Sequence, residues 1–122
     1  MRSLSLFTFA LFASLAVSVV ANAAEGTFTG ASDHEVRGAV EIVANGDGHT
    51  IELGEDFFLD GAPDPKVAVG SGEKPAHILD PLENNTGAQT YTLPADIDPA
   101  SIERVWIWCQ QFDVPLGIAD MN

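Results

Sequence analysis

The sequence predicts an all-β protein, an antiparallel β-sandwich or barrel-like sandwich with one short helical turn. Apolar and polar residues alternate with a period of two in several short segments, as in strands that bury one face. Gly, Pro, Asp or Asn separate these segments at short intervals. Helical periodicity is nearly absent. Many short strands with frequent turn signals are typical of sandwiches and barrels.

Residues 1–23 have the features of a signal peptide. Met1-Arg2 supplies a positive start, residues 4–20 are apolar apart from scattered Ser and Thr, and Ala21-Asn22-Ala23 is a small-x-small cleavage site. An uncleaved membrane anchor is the alternative, because the apolar stretch is long for a signal peptide, although it is slightly short for a span. We expect removal, with an exported mature form that is periplasmic or extracellular and not embedded in a membrane.

The mature region, residues 24–122, has room for a single small β domain. The full chain has 18 acidic and 5 basic residues, and loss of Arg2 leaves 18 against 4, a formal charge of −14. Such a surface repels phosphate backbones, so no nucleic-acid partner is expected. Cations or basic proteins remain possible partners, and the alternative is that the acidity only keeps the protein soluble.

The first predicted strands form a hairpin. Residues 36–43 and 49–53 each alternate apolar and polar side chains. Residues 44–48, Ala-Asn-Gly-Asp-Gly, tolerate positive φ and predict the turn between them.

Three more strands are predicted over residues 57–59, 66–69 and 90–93. Residues 70–87 contain several glycines and prolines with few apolar anchors. This composition predicts a mobile polar loop between two halves of the fold.

One helical turn is predicted over residues 97–103. Asp98 stands directly before Pro99, the arrangement of a helix cap followed by proline at the first helical position. The turn would lead the chain into the last predicted strand, which starts at Val105.

That last strand contains the only cysteine, Cys109. Alternation places one set of side chains on each face: Val105, Ile107 and Cys109 on one, Trp106, Trp108 and Gln110 on the other. Both faces are apolar over most of the run, which predicts a central strand covered on both sides. Cys109 is therefore expected to be buried.

Four segments, taken in order, resemble the DM-thirteen domain, an extracellular β-rich module often found beside DOMON domains and described as an electron-transfer domain. They are residues 38–42 (Gly-Ala-Val-Glu-Ile), residues 57–64 (Phe-Phe-Leu-Asp-Gly and then Pro-Asp), residues 87–94 (Gly-Ala-Gln-Thr-Tyr-Thr-Leu-Pro), and residues 105–117 with their Trp-Cys-x-x-Phe string. The resemblance extends from about Gly26 to Ala119.

The resemblance implies an exported redox or electron-transfer module centred on Cys109, acting as a bare thiol or as a ligand to a group such as haem. It also implies a redox partner protein or a membrane-associated electron-transfer component. The residues themselves do not favour the thiolate form of Cys109, because its strand is apolar and the surface of the protein is acidic. With no second cysteine, any thiol cycle needs a partner.

Haem ligation would avoid that difficulty, since a metal stabilises a thiolate. An apolar haem pocket could be supplied by Trp106, Trp108, Phe112, Phe57 and Phe58. His34 is the candidate second axial ligand, with a plain surface histidine as the alternative reading. No Cys-x-x-Cys-His motif is present, so haem would be held without covalent bonds. No other metal site is predicted.

A different class of function also fits these residues. In it the chain is a secreted β-sandwich interaction module that binds a protein, a glycan or calcium through its loops, and Cys109 is core packing. No Ser-His-Asp arrangement, carboxylate pair or phosphate loop is recognisable. We therefore do not expect a stand-alone enzyme.

Overall fold

The computed structural model describes residues 10–11 and 22–122 and confirms the predicted antiparallel β-sandwich. A four-stranded sheet and a five-stranded sheet enclose the apolar core, and a two-stranded ribbon lies beside them. The strands are β1 (Asn22–Thr27), β2 (Thr29–Gly30), β3 (Val36–Arg37), β4 (Ala39–Asn45), β5 (Gly48–Leu53), β6 (Phe58–Leu59), β7 (Pro65–Gly70), β8 (His77–Pro81), β9 (Gln89–Leu93), β10 (Arg104–Cys109) and β11 (Val114–Asp120).

The four-stranded sheet has the order β1-β4-β5-β9 and contains the predicted hairpin. β4 and β5 pair from Val40 opposite Leu53 to Asn45 opposite Gly48, so the turn is Gly46-Asp47. Gly46 has φ +61°, the left-handed conformation that a two-residue hairpin turn requires.

The strand predicted over residues 36–43 is interrupted at Gly38. This residue has φ +107°, and a Cβ built on it would lie 2.6 Å from the Cα of Phe57. The chain therefore bends at Gly38, and β3 leaves the sheet to pair with β6, with Val36 opposite Leu59. Strand alternation alone could not show this break, because the apolar period continues through it.

The five-stranded sheet has the order β2-β11-β10-β7-β8, so β10 is central as predicted. Val105, Ile107 and Cys109 face the main core between the sheets. Trp106 and Trp108 face the opposite side, where they form a second, smaller cluster with Ala68. Both faces of the strand are thus covered.

The prediction of a loop over residues 70–87 is wrong in the middle of this range, where β8 lies. β8 pairs with β7, with His77 opposite Val69 and Lys66 opposite Pro81. It is an edge strand whose residues are mostly exposed, and only Leu79 packs against the main core. Such a strand lacks the apolar alternation from which strands are predicted.

The predicted helical turn is confirmed as a 3₁₀ turn over Pro99–Ser101. The Oδ1 atom of Asp98 accepts a hydrogen bond of 2.9 Å from the backbone N–H of Ala100. Ile97 and Ile102 on either side are buried, which fixes the turn to the core.

β1 and the end of the chain close one side of the sandwich. The backbone N–H of Asn122 donates to the carbonyl of Glu25 at 3.0 Å, and the reverse bond is 3.3 Å. Most of the predicted signal peptide lies outside the described residues. A cut after Ala23 would leave the pairing of β1 with β4 intact from Ala24 onward. In the described part of the chain no helix is long and apolar enough to cross a membrane.

Candidate functional site

Cys109 is the last residue of β10 and has 1% of its surface exposed. It stands opposite Val114 of β11 and Pro65 of β7, both half-buried. Its side chain belongs to the main apolar cluster between the sheets. The thiol therefore lies at the end of the core, one residue before the exposed Gln110.

The pairing of β10 with β11 shifts register between Ile107 and Trp108, immediately before Cys109. Such bulges redirect side chains and often occur beside functional sites. Between the strands, Gln110 to Asp113 form an exposed turn in which Asp113 adopts φ +53°. Only this turn separates Cys109 from solvent along the chain.

The hydrogen-bond partner of His34 is Asp60. Its Nδ1 lies 2.8 Å from Oδ1 of Asp60, and the backbone N–H of Glu35 donates to the other carboxylate oxygen at 3.0 Å. The bond from Glu35, followed by the bond to His34, lowers the pKa of Asp60. Ser32 and Asp33, both with positive φ, form the tight turn that leads to His34.

Trp106 and Trp108 lie on the face of the sheet opposite Cys109. Trp106 is fully buried, and its indole N–H has no hydrogen-bond acceptor in the described structure. Ala68 stands beside it on β7 and Ile118 on β11. The sheet itself therefore separates the indoles from the thiol, and the three side chains do not line one pocket.

Phe112 is 61% exposed and lies in the turn between β10 and β11. The sequence pattern placed it in the same apolar run as the tryptophans, but the strand ends at Cys109. Phe112 is thus available on the surface next to the end of the core that contains the thiol.

The other aromatic residues considered for a haem pocket are also dispersed. Phe57 packs edge-to-face on Phe28 in the main core, with 5.6 Å between ring centroids. The guanidinium of Arg37 stacks over Phe58, with 4.4 Å between Cζ of Arg37 and the centroid of the phenyl ring. Within residues 22–122 no three His, Cys, Asp or Glu side chains are grouped as a metal site. Cys109, His34 and these rings therefore do not fit a haem.

Two charged residues near the site could not be found from the sequence. Nζ of Lys74 lies 3.1 Å from Oδ2 of Asp113, which joins the segment between β7 and β8 to the turn after Cys109. The two residues are 39 positions apart, and no local pattern indicates such a contact.

The family assignment agrees with this architecture. The sequence model of one family, electron transfer DM13, matches residues 27–121. No curated protein and no solved structure gives a significant match. Because the matched region covers most of the chain, from β2 to β11, and includes Cys109, the chain belongs to the electron transfer DM13 family.

Proposed function

We propose that this protein is an exported electron-transfer module whose redox-active residue is Cys109, shielded from solvent by a turn that opens locally and that a docked partner holds open. The proposal rests on the position of Cys109. Its side chain is buried in the core, yet it is the final residue of its strand, next to an exposed turn.

Local opening at this turn would expose the thiol without unfolding the sandwich. Gln110 bonds to the rest of the protein through its N–H, which donates to the carbonyl of Asp64 at 3.2 Å. The last pair of the ladder, Cys109 with Val114, lies next to the turn and can open before the central pairs. The buried position then serves as protection against unspecific oxidation.

Phe112 supports docking of a protein partner at the same end. A large exposed aromatic ring is the type of side chain that anchors protein interfaces. The formal charge of −13 for the full chain favours a partner with a basic surface. A partner that covers Phe112 would press directly on the turn that shields Cys109.

The chemistry of a single thiol requires a dithiol or disulfide partner. The Cys109 thiolate attacks one sulfur of a partner disulfide, forming a mixed disulfide while the partner's S–S bond breaks. The leaving sulfur takes the electron pair and a proton. Because no other cysteine exists in this chain, a second partner, a dithiol donor, attacks the Cys109 sulfur of the mixed disulfide and releases the first partner as a dithiol. The donor's other thiol then closes the donor's own disulfide and releases Cys109, so that two electrons pass from the donor to the first partner.

The test uses an aromatic disulfide whose released thiolate absorbs visible light. We expect the folded protein to release one equivalent of this thiolate per chain while its near-ultraviolet circular dichroism stays native. The matched Cys109→Ser variant should release none. Release that begins only when the circular dichroism signal is lost would contradict the proposal.

A second function is favoured by the apolar surroundings of the sulfur. In this alternative Cys109 is core packing, as for many buried free cysteines, and the protein is a secreted interaction module. Such a module would keep its binding activity in a Cys109→Ala variant that folds, whereas an electron-transfer module would lose its redox activity.

A further inference from the structure

The outer face of the five-stranded sheet contains an apolar cluster that the redox proposal does not use. Trp106 stands between Ala68 and Ile118 in one row across β7, β10 and β11, and Trp108 follows two residues later on the same face. We call these four residues the tryptophan face. It lies on the side of the sheet opposite Cys109.

Residues 71–76, here named the strap, cross this face. The carbonyl of Gly72 lies 3.5 Å from Nη1 of Arg104 at the start of β10, whereas Lys74 pairs with Asp113 beyond the end of β10. At roughly 3.3 Å per residue, β10 from Arg104 to Cys109 measures about 17 Å. The strap and its side chains must therefore run along β10, and the opposite side is filled by the core.

The root of the strap touches the indole of Trp106. A Cβ built on Gly70 would lie 3.4 Å from Cζ3 of Trp106 and 2.7 Å from the backbone nitrogen of Ala76. Cζ3 and Nε1 are at opposite sides of an indole, so the N–H of Trp106 is not the part of the ring that meets the root of the strap.

The N–H of Trp106 has no acceptor although the side chain is fully buried. Buried donors are nearly always satisfied in folded proteins, because an unmet donor destabilises the fold. This donor differs from the other buried polar groups, such as Gln89, which bonds to the carbonyls of Asn84 and Gly87. An acceptor supplied from outside the chain would satisfy it.

The charges around the face indicate which acceptor is suitable. Each nearby cation already has a carboxylate partner: Lys66 with Asp64, Lys74 with Asp113 and Arg104 with Asp120. Among the described residues beside this face, no lysine or arginine is left without a carboxylate partner to neutralise an anionic ligand. A neutral oxygen on an apolar, flat molecule fits the donor and the indole rings.

We propose that the tryptophan face binds a planar aromatic compound through a neutral carbonyl oxygen that accepts a hydrogen bond from Nε1 of Trp106, with the strap displaced to admit it. A quinone is the redox-active member of this class. Only that choice rests on the proposed electron-transfer function, because the face and its donor do not involve Cys109.

The strap is suited to displacement. Residues 71–74 are exposed, and in the described structure residues 71–75 form no backbone-to-backbone hydrogen bond with other elements. The strap's ends are fixed by bonds from Ala76 to Val69 and from Glu103 to Gly70. Its middle is held by the ion pair of Lys74 with Asp113, in which both side chains are 70% exposed. Such pairs contribute little to stability.

The test follows the two indole N–H resonances of the purified protein by nuclear magnetic resonance, since the chain has two tryptophans. The probes are 2,3-dimethyl-1,4-naphthoquinone, which is blocked against thiol addition, the redox-inactive ketone 2-acetylnaphthalene, and 2-ethylnaphthalene, which lacks an acceptor. We expect both carbonyl probes to move the Trp106 resonance downfield and to bind more tightly than 2-ethylnaphthalene.

Matched variants assign the signal and its cause. Trp106→Phe keeps an aromatic ring but removes the donor, and should weaken carbonyl binding by about three- to tenfold. Trp108→Phe should retain the shift. Lys74→Ala and Asp113→Asn each remove the ion pair and should tighten binding by the same small factor, up to about fivefold.

Several results would overturn the proposal: no shift with either carbonyl probe, equal affinity of the Trp106→Phe variant, 2-ethylnaphthalene binding as tightly as the ketone, or no effect of the two strap variants. Cys109→Ser should bind all probes as the parent does. A failure of the thiol chemistry is thereby distinguished from a failure of this site. Binding of the ketone but not the quinone would retain the site and contradict the choice of ligand.

Discussion

At the scale of single residues, the thiol of Cys109 and the two indoles lie on opposite faces of β10, in two separate apolar clusters. His34 pairs with Asp60, 26 positions later, and Phe112 falls beyond the end of the strand. These contacts depend on where turns return the chain, and that information is not local in the sequence.

The apolar surroundings of Cys109 predict an asymmetric response to substitution. Cys109→Ser places a hydroxyl in an apolar cluster and should destabilise the protein by about 1–3 kcal/mol through the unmet hydrogen bond. Cys109→Ala leaves only a small cavity and should cost less. Urea unfolding of both variants measures the difference. Equal stability of the serine variant and the parent would show that the sulfur has polar neighbours.

Asp60 predicts a pH-dependent contribution to stability. Its pKa is lowered in the folded protein by the Glu35 backbone N–H and by His34, so the unfolded state binds the proton more readily. The stabilisation is therefore present above the ordinary carboxyl range, near pH 4, and is lost as the pH falls through the lower folded value. Asp60→Asn should lower the free energy of unfolding near pH 6 by an amount that shrinks toward pH 3. A difference that is constant with pH would contradict this assignment.

At the scale of elements, the hairpin of β4 and β5, the 3₁₀ turn and the central β10 were predictable because their signals are local. β8 was not, since an exposed edge strand needs no apolar face. The break at Gly38 was also hidden, because its cause is the approach of Phe57 from a distant part of the chain.

Substitutions at two glycines distinguish the cost of a positive φ from the cost of a steric contact. Gly38→Ala should destabilise the protein by about 3 kcal/mol or more, because it combines a positive φ with a Cβ contact against backbone. Gly46→Ala has the positive φ but nothing within 4 Å, and should cost only about 1 kcal/mol. Urea unfolding at one pH compares them. Equal losses would show that Gly38 is not closely packed.

At the scale of the whole molecule, the sandwich encloses one main core, and a second apolar cluster lies on the outer face of the five-stranded sheet. Composition and period were sufficient for this architecture, because the sheets need only alternating residues and turns. How the outer cluster is covered was not predictable from the sequence. The strap and the ion pair of Lys74 with Asp113 bring together residues that are far apart along the chain.

Export is a prediction from the N-terminal residues. We expect the protein recovered from the exporting host to begin at Ala24, since Ala21-Asn22-Ala23 is a small-x-small site. β1 would keep its pairs with β4 from Ala24 to Thr27, so removal should leave stability nearly unchanged. Intact-mass measurement and N-terminal sequencing check the cut. Recovery of a membrane-bound chain that starts at Met1 would favour the uncleaved anchor.

The central claim, that Cys109 is a protected but reachable thiol, is tested most directly by its labelling rate as a function of low denaturant concentration. Local opening of the turn predicts labelling in water at least about tenfold faster than global unfolding allows, with little dependence on denaturant. If the labelling rate instead follows global unfolding at every denaturant concentration, Cys109 is core packing and the redox assignment is contradicted.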